Sequence, residues 1–308
     1  MNEIKRIGIL GAGAMGAFFA DRFASVPEFT TGLIADPDRA IRLRKDGLVI
    51  NSKISHFNVI DTSLPAEPLD LILVALKHQQ LPDALFSIRP LVKPETLFLS
   101  VMNGLDSEEI ISAAYGQEKV LYAISVGIDA VREGNRVTYT KPGRHIFGEA
   151  DNSNPSAKVL RVKEAFEKAG IQYEIPTDML RTLWWKFMVN VGVNQASAVL
   201  RAPYGVFHTN RHAQALMEAL MQEVVTLAQA KNIQLTRQDI EDWYPVLNTL
   251  SPSGKTSMLQ DIEAGRPTEV DVFGEKVVKL GKELGIATPV NQTIVHIIRT
   301  LEDRAVVS

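Results

Sequence analysis

At 308 residues the chain is about two domains long, and its 45% hydrophobic and 22% charged residues are ordinary for a soluble globular protein. A formal net charge of -3 gives no electrostatic reason to expect a nucleic acid or an anionic membrane as partner. The absence of cysteine excludes disulfides, zinc-thiolate sites, iron–sulfur clusters and cysteine nucleophiles together.

The N-terminal half alternates strand and helix signals. Arg6–Leu10 is a short apolar strand, followed by a glycine-rich turn and an apolar helix from about Met15 to Ser25. Thr31–Ala35 reads as a second strand. Leu69–Leu76 is an uninterrupted apolar run, as expected of a parallel strand covered on both faces, and Thr96–Val101 and Val120–Val126 are two more. Arg136–Phe147 alternates Thr and Tyr with polar residues around Lys141-Pro142-Gly143-Arg144, which predicts an antiparallel hairpin at the sheet edge. A helix over Pro155–Lys168 and a strand over Ile171–Ile175 close the unit, with a boundary at Pro176.

Beyond Thr177 the strand signal disappears. Helical patterns cover Met179–Val199, His212–Lys231, Arg237–Leu247, Ser257–Ala264, Val270–Leu284 and Asn291–Glu302, punctuated by prolines and glycines. The pattern predicts a doubly wound α/β domain over residues 1–176 and an all-helical domain over residues 177–308, with a cleft between them. No apolar run approaches the ~20 residues that a membrane span needs. Residues 1–10 run straight into the first strand, with no room for a signal peptide. The expected location is the cytoplasm.

Gly11-Ala12-Gly13-Ala14-Met15-Gly16 is G-x-G-x-x-G, directly after a strand and directly before a helix. The first glycine permits a tight turn, the second lets the backbone approach a pyrophosphate, and the third lets helix and strand pack closely. The helix N-terminus supplies unpaired N–H groups for the phosphates. This is the dinucleotide fingerprint of a Rossmann domain. Asp36 follows about 20 residues on, where the fingerprint wants an acid for the ribose 2′-hydroxyl, which favours NAD. It also stands in Asp36-Pro37-Asp38, a segment rich in turn residues, and Arg39, Arg42 and Arg44 follow as partners for a 2′-phosphate.

Open α/β sheets bind ligands at the carboxyl ends of their strands. Lys77 follows the run LDLILVAL and Asn103-Gly104 follows TLFLSV, which makes both candidate contacts for cofactor or substrate. The helix Met179–Val199 is apolar nearly all round, yet it carries Lys186, Asn190 and Asn194 at i, i+4, i+8. That spacing draws one polar stripe along a buried helix. A lysine desolvated in a cleft has its pKa lowered toward neutrality, which suits a proton donor to a carbonyl oxygen that receives hydride. Glu269, after Pro267-Thr268, is a candidate partner for that acid. An acid in the first turn of a helix is also favoured by the dipole, and Thr268 looks like the helix N-cap. Ser257 reads either as a ligand or as the N-cap of a capping box with Gln260. His208 and His212 have helical i, i+4 spacing but no acidic third ligand, so no catalytic metal is expected.

Taken together, GAGAMG, Lys77, Asn103-Gly104, the run WKFMVNVGVN and the later SMLQDIEAGRPTE resemble the ketopantoate reductases (2-dehydropantoate 2-reductases), in the right order over nearly the whole chain. The resemblance implies reduction of 2-dehydropantoate to (R)-pantoate, usually with NADPH, on the pathway to pantothenate and coenzyme A. It implies that Lys186 is the general acid and that Glu269 holds Lys186 and the substrate hydroxyl. Asn190, Asn194 and Ser257 would bind a small keto acid. Gly11 to Gly16, Lys77 and Asn103 would contact NADP(H). Two positions depart from the family pattern. Asp36 stands where members often place an arginine, so NAD(H) is the alternative cofactor, and Tyr204 replaces an additional substrate-binding asparagine of some members. The competing functions are reduction of another 2-keto acid by the same Lys and Glu, and a dinucleotide-binding sensor without turnover. Helical C-terminal domains often supply dimer surfaces, and a homodimer is compatible with the sequence.

Overall fold

The structure, a computed structural model, describes residues 3–307. The chain divides into two compact units, the first ending at Leu180 and the second beginning at Arg181. The strands, all in the first unit, are β1 (Arg6–Leu10), β2 (Thr30–Ala35), β3 (Leu48–Ile50), β4 (Lys53–Ser55), β5 (Asn58–Asp61), β6 (Leu69–Val74), β7 (Val92–Ser100), β8 (Val120–Ile128), β9 (Val131–Glu133), β10 (Arg136–Thr138), β11 (Pro142–Gly148) and β12 (Tyr173–Glu174). Its helices are α1 (Ala14–Ala24), α2 (Pro37–Asp46), α3 (Leu81–Ser87), α4 (Ser107–Tyr115) and α5 (Ala157–Lys168).

The main sheet runs β12-β11-β8-β7-β6-β1-β2-β5. Its stretch from β5 to β8 is parallel throughout and has the strand order of a Rossmann domain. The order reverses between β1 and β6, so a crevice opens at their carboxyl ends. Every residue of β6 is buried, including Asp70. A charge inside an apolar strand must be paired. Asp70 accepts the Lys5 and Arg6 amides at 2.9 and 2.8 Å and the Lys93 ammonium at 2.5 Å, which fastens the entries of β1, β6 and β7 together.

The expected hairpin over Arg136–Phe147 does not form. β10 pairs with β9 and β3 in a second sheet, ordered β4-β3-β10-β9, while β11 crosses into the main sheet antiparallel to β8. Asp129, just beyond β8, causes the switch. Its carboxylate accepts the Thr140 and Lys141 amides, both at 2.8 Å, and so binds the connecting loop to the end of β8. Nor is β11 an edge, because β12 pairs outside it. The Asp36-Pro37-Asp38 segment starts a helix: Asp36 caps α2 by accepting the Arg39 amide at 2.9 Å, with Pro37 in the first turn where its missing N–H costs nothing.

The second unit holds α6 (Met179–Val189, which begins at the division), α7 (Gln195–Leu200), α8 (Tyr204–Thr209), α9 (Arg211–Ala230), α10 (Arg237–Glu241), α11 (Trp243–Leu247), α12 (Ser257–Glu263), α13 (Lys276–Leu284) and α14 (Pro289–Val307), with no strand among the described residues. One of the expected long helices is interrupted by a π turn, at Asn190–Asn194, and another opens on one, at Asp271–Glu275. The expected helix Arg237–Leu247 is two short ones, because Pro245 has no N–H to offer the Glu241 carbonyl. His208 and His212 fall on different helices, separated by the Asn210 cap, and His208 Nε2 is 3.0 Å from the Leu247 carbonyl. Among the described residues no cluster of three or more His, Asp and Glu side chains is placed to hold a metal ion, and no helix is long and apolar enough to cross a membrane.

One buried histidine adds to the acid sensitivity of the first unit. His145 on β11 is 1% exposed and packs against the rings of Phe18, Phe19 and Phe166. Its Nδ1 is 2.8 Å from Ser125 Oγ, and burial pushes its pKa down to about 4. An unfolded histidine titrates near 6.5, so between those values the unfolded chain binds the extra proton. Stability is therefore full above pH 6.5 and is lost as pH falls toward 4, by about 2 kcal/mol between pH 7 and pH 5. His145→Phe should lack this loss, which urea midpoints measured at the two pH values would reveal as a flatter acid limb.

Candidate functional site

The first group of candidates lies where β1, β2, β6 and β7 end. Backbone bonds continue past the strands: Ala75 donates to the Leu10 carbonyl and Val101 to the Val74 carbonyl, each at 2.9 Å. The segments carrying the glycine loop, Lys77 and Asn103 therefore leave the sheet side by side. Gly11 has φ +108°, a conformation that costs a side-chain-bearing residue dearly. A Cβ on Gly16 would lie 1.8 Å from the Gly11 carbonyl oxygen, so helix and turn are in contact there. Gly13 differs. A Cβ on it would meet nothing of the protein closer than 3.9 Å, so the space beside it is open.

Gly13 caps α1 with no side chain bonded to the first amides, and the first turn holds no acid. The N–H groups of Ala14, Met15 and Gly16 have no intrahelical carbonyl. Gly13, Ala14 and Met15 are half-buried, whereas Gly11, Ala12 and Gly16 are buried. The cradle fits a dinucleotide pyrophosphate: room at Gly13, and amide donors at the positive end of a helix. Asp36 follows β2 directly and is exposed, with one oxygen on the Arg39 amide. Of the nearby arginines, Arg44 is engaged with the Val59 carbonyl at 3.1 Å and with Asp61 at 3.8 Å. Arg39 lies near enough to Arg132 for their charges to repel, and with desolvation this lowers the pKa of Arg132. Arg132, on β9, donates to the Ala12 carbonyl of the glycine loop. No sequence signal links residues so far apart.

Lys77 is exposed, three residues beyond the end of β6, at the start of a 3₁₀ turn over His78–Gln80. Asn103 is half-buried in the loop between β7 and α4. A buried relay holds that loop: Ser100 Oγ donates to Ser107 Oγ and Ser107 Oγ to Glu108 Oε2, both at 2.8 Å. Burial pushes the Glu108 carboxyl up to about 7.

The second group lies in the helical unit. Lys186, in the last turn of α6, is half-buried among Leu183, Trp184, Phe187 and Val189, all of them buried. Desolvation pushes its pKa down to about 8. Its ammonium forms no ion pair among the described residues, Glu269 included. Asn190 and Asn194 open and close the first π turn, at 5% and 7% exposure. In an unbroken α-helix a residue eight positions on has rotated about 80° from the first. The wider π turn takes part of that back and draws Asn194 toward the line of Lys186 and Asn190. The Asn194 side chain hydrogen-bonds no other described residue.

Two further elements meet this turn. α12 packs on it, and the second π turn packs on it from another side. Ser257 is the first residue of α12 and is exposed; the cap is Thr256, whose Oγ1 accepts the Leu259 amide at 3.1 Å. The capping box of Ser257 with Gln260, one of the two readings of that residue, is thus absent, and the Ser257 hydroxyl is not committed to it. Glu269 is half-buried two residues before the second π turn, where its carbonyl accepts the Val272 and Phe273 amides, both at 3.1 Å. Thr268 accepts the Val270 amide at 3.2 Å, and its own amide and hydroxyl both bond Glu302 at 2.7 Å. Glu302 in turn pairs with Arg299 at 2.8 Å, so the segment before Glu269 is anchored to α14.

A Rossmann unit with an open phosphate cradle, followed by a helical unit that buries a lysine with two amides in line, defines a dinucleotide-dependent oxidoreductase. The chain belongs to the ketopantoate reductase PanE/ApbA family, whose N-terminal part matches residues 7–152 and whose C-terminal part matches residues 178–302. It is 28% identical over 303 residues to a 2-dehydropantoate 2-reductase of Pyrococcus horikoshii, covering 96% of this chain and 97% of that one. Among solved structures it is similar to a D-mandelate dehydrogenase in ternary complex with NADH and anilino(oxo)acetate, with a TM-score of 0.88, 22% identity, and 97% and 99% of the two chains covered. It is also similar to the dimeric ketopantoate reductase of Staphylococcus aureus, with a TM-score of 0.81, 21% identity and the same coverage.

The glycine geometry separates folding from binding. Gly13→Ala should leave the melting temperature within a few degrees, since its Cβ meets no protein atom, yet weaken nicotinamide dinucleotide binding by tenfold or more in a fluorescence titration. Gly16→Ala, with its Cβ driven into the Gly11 carbonyl, should lower stability itself.

Proposed function

We propose that this protein reduces the 2-keto group of 2-dehydropantoate to give (R)-pantoate, in the biosynthesis of pantothenate and coenzyme A. The observation that carries the reading is Lys186, an ammonium buried without a carboxylate partner and in line with Asn190 and Asn194. Burying a cation unpaired is unfavourable, and proton donation to a substrate supplies the reason for it.

The glycine loop and the first amides of α1 hold the pyrophosphate, and Lys77 and Asn103 contact the dinucleotide farther along the strand ends. A bound reduced nicotinamide supplies the hydride that adds to C2 of the keto acid. As the C2–O double bond becomes single, Lys186 Nζ gives a proton to the oxygen and is left as a neutral amine, which solvent reprotonates. Asn190, Asn194 and Ser257 orient the keto acid, and Glu269 accepts from its hydroxyl. The product is a 2-hydroxy acid with oxidised cofactor, and charge balances with one proton taken from water. Asp36 favours NAD(H) through the 2′-hydroxyl, and Arg39 favours NADP(H) through a 2′-phosphate. Cytoplasmic location suits such an enzyme, and by likeness to the S. aureus protein we read the assembly as a homodimer.

Tyr204 favours a second reading, another 2-keto acid as substrate. It opens α8 with its phenol half-buried and its pKa raised by desolvation, and the ring lies against Gly254, just before Ser257. A large ring at that position suits a keto acid with a bulkier apolar substituent, as in the D-mandelate dehydrogenase complex.

The test is oxidation of NADPH and NADH, in parallel, with 2-dehydropantoate and a panel of aliphatic and aromatic 2-keto acids. Turnover of 2-dehydropantoate above the panel is the expected result, whereas preference for another 2-keto acid moves the assignment to the second reading. Lys186→Ala should lower kcat by about 10²–10⁴-fold with dinucleotide affinity nearly unchanged. Because the protonated amine is the acid, wild-type kcat for reduction should fall about tenfold per pH unit above pH 8, and that limb should vanish in the Lys186→Ala variant.

A further inference from the structure

Behind the two π turns lies a hydrogen-bonded chain that no step above uses. Gln195, the residue after Asn194, is fully buried, and so is Asn291 in the first turn of α14. Gln195 Nε2 donates to the Val191 carbonyl and to Asn291 Oδ1, both at 2.9 Å. Asn291 Nδ2 donates to Glu223 Oε2 at 2.7 Å and to the Leu220 carbonyl at 3.3 Å. Glu223, reaching from α9, also accepts the Val290 and Asn291 amides at 2.8 and 3.0 Å, and so caps α14 from outside it. Every direction is determined. A carboxylate only accepts, so Asn291 must turn its NH₂ to Glu223 and its oxygen to Gln195, and Gln195 must then present both hydrogens to oxygens.

That leaves Gln195 Oε1 buried with no donor. It faces the second π turn: a Cβ on Gly274 would lie 2.3 Å from it. A leucine at residue 195 would fill similar volume and remove that orphan oxygen, but it would leave the buried Asn291 Oδ1 without its donor. The amide instead holds three things at once. It takes the Val191 carbonyl within the turn that carries Asn190 and Asn194, it ties that turn to α14 through Asn291, and it sets how closely the turn after Glu269 approaches.

We infer that Gln195 is a positioning residue for the keto-acid site, a joint that fixes the Asn190–Asn194 turn against the Asp271–Glu275 turn and so sets the placement of Asn190, Asn194 and Glu269. The inference rests on the proposed reduction of a 2-keto acid. Gln195 touches neither substrate nor cofactor in this role. A displacement near 1 Å at a reacting site costs about 10²-fold in rate, and loosening the joint should produce a loss approaching that size.

The experiment compares wild type, Gln195→Leu and Gly274→Ala in three measurements: kcat and KM with the best 2-keto acid, dinucleotide affinity by fluorescence titration, and melting temperature. Both variants should lose about 10–100-fold in kcat/KM for the keto acid beyond what any rise in the unfolded fraction explains, with dinucleotide affinity within twofold of wild type. A kcat/KM within twofold of wild type in both, a loss that merely tracks the unfolded fraction, or failure of both to fold would mark Gln195 as structural only and overturn the inference. Absence of keto-acid turnover by the wild type overturns the proposed function and this inference with it, whereas turnover by an unaffected Gln195→Leu overturns the inference alone.

Discussion

Between Gly11 and Gly16 there is no room for a single carbon. That contact seats the first turn of α1 directly on the turn that leaves β1, and it leaves the amides at the start of the helix without carbonyls. The reversal of strand order between β1 and β6 keeps the neighbouring connection out of the way. The backbone bonds that run past the strand ends keep the segments leading to Lys77 and Asn103 level with the glycine loop. A set of helix amides without carbonyl partners thus arises wholly from main chain, which is why the side chains around it are small.

The helical unit works by the opposite means, through side chains in a dry environment. An apolar helix that admits Lys186 shifts the equilibrium of its ammonium toward the neutral amine by desolvation alone, because no carboxylate opposes the shift. The amides that follow stand on a π turn rather than on a regular α turn, which brings them closer to one line. Such a turn disturbs the helical hydrogen-bond ladder, and the Gln195 side chain takes up the Val191 carbonyl. The polar stripe and the buried network behind it are therefore parts of a single structural feature.

What could be read from the sequence divides by range. The glycine motif, the apolar strands β1, β6 and β7 and the stripe from Lys186 to Asn194 depend on periods and spacings within about 20 residues, and they were legible. Where neighbours compete for one role, the sequence left alternatives open or misplaced a pairing. Ser257 and Thr256 are both good caps, and in the fold it is the Thr256 hydroxyl that accepts the Leu259 amide. Asp36-Pro37-Asp38 serves a turn or a helix start equally well, and the buried Ala40 and Leu43 beyond it decide for the helix. The segment Arg136–Phe147 looked like one hairpin because its alternation is real, but its two halves belong to different sheets.

By itself the sequence determined the class of fold, the glycine motif between the first strand and the first helix, and the presence of a lysine where lysines are unfavourable, since these follow from local periodicity and from the chemistry of single residues. Only the tertiary structure decided which helices are broken by π turns, that Asp129 redirects β11 into the main sheet, and that Arg132 reaches the glycine loop from 120 positions away. The same holds for the chain from Glu223 through Asn291 to Gln195, whose members lie up to 96 residues apart in sequence. Each of these depends on which polar group finds a partner once water has been excluded, and that depends on what the fold brings near.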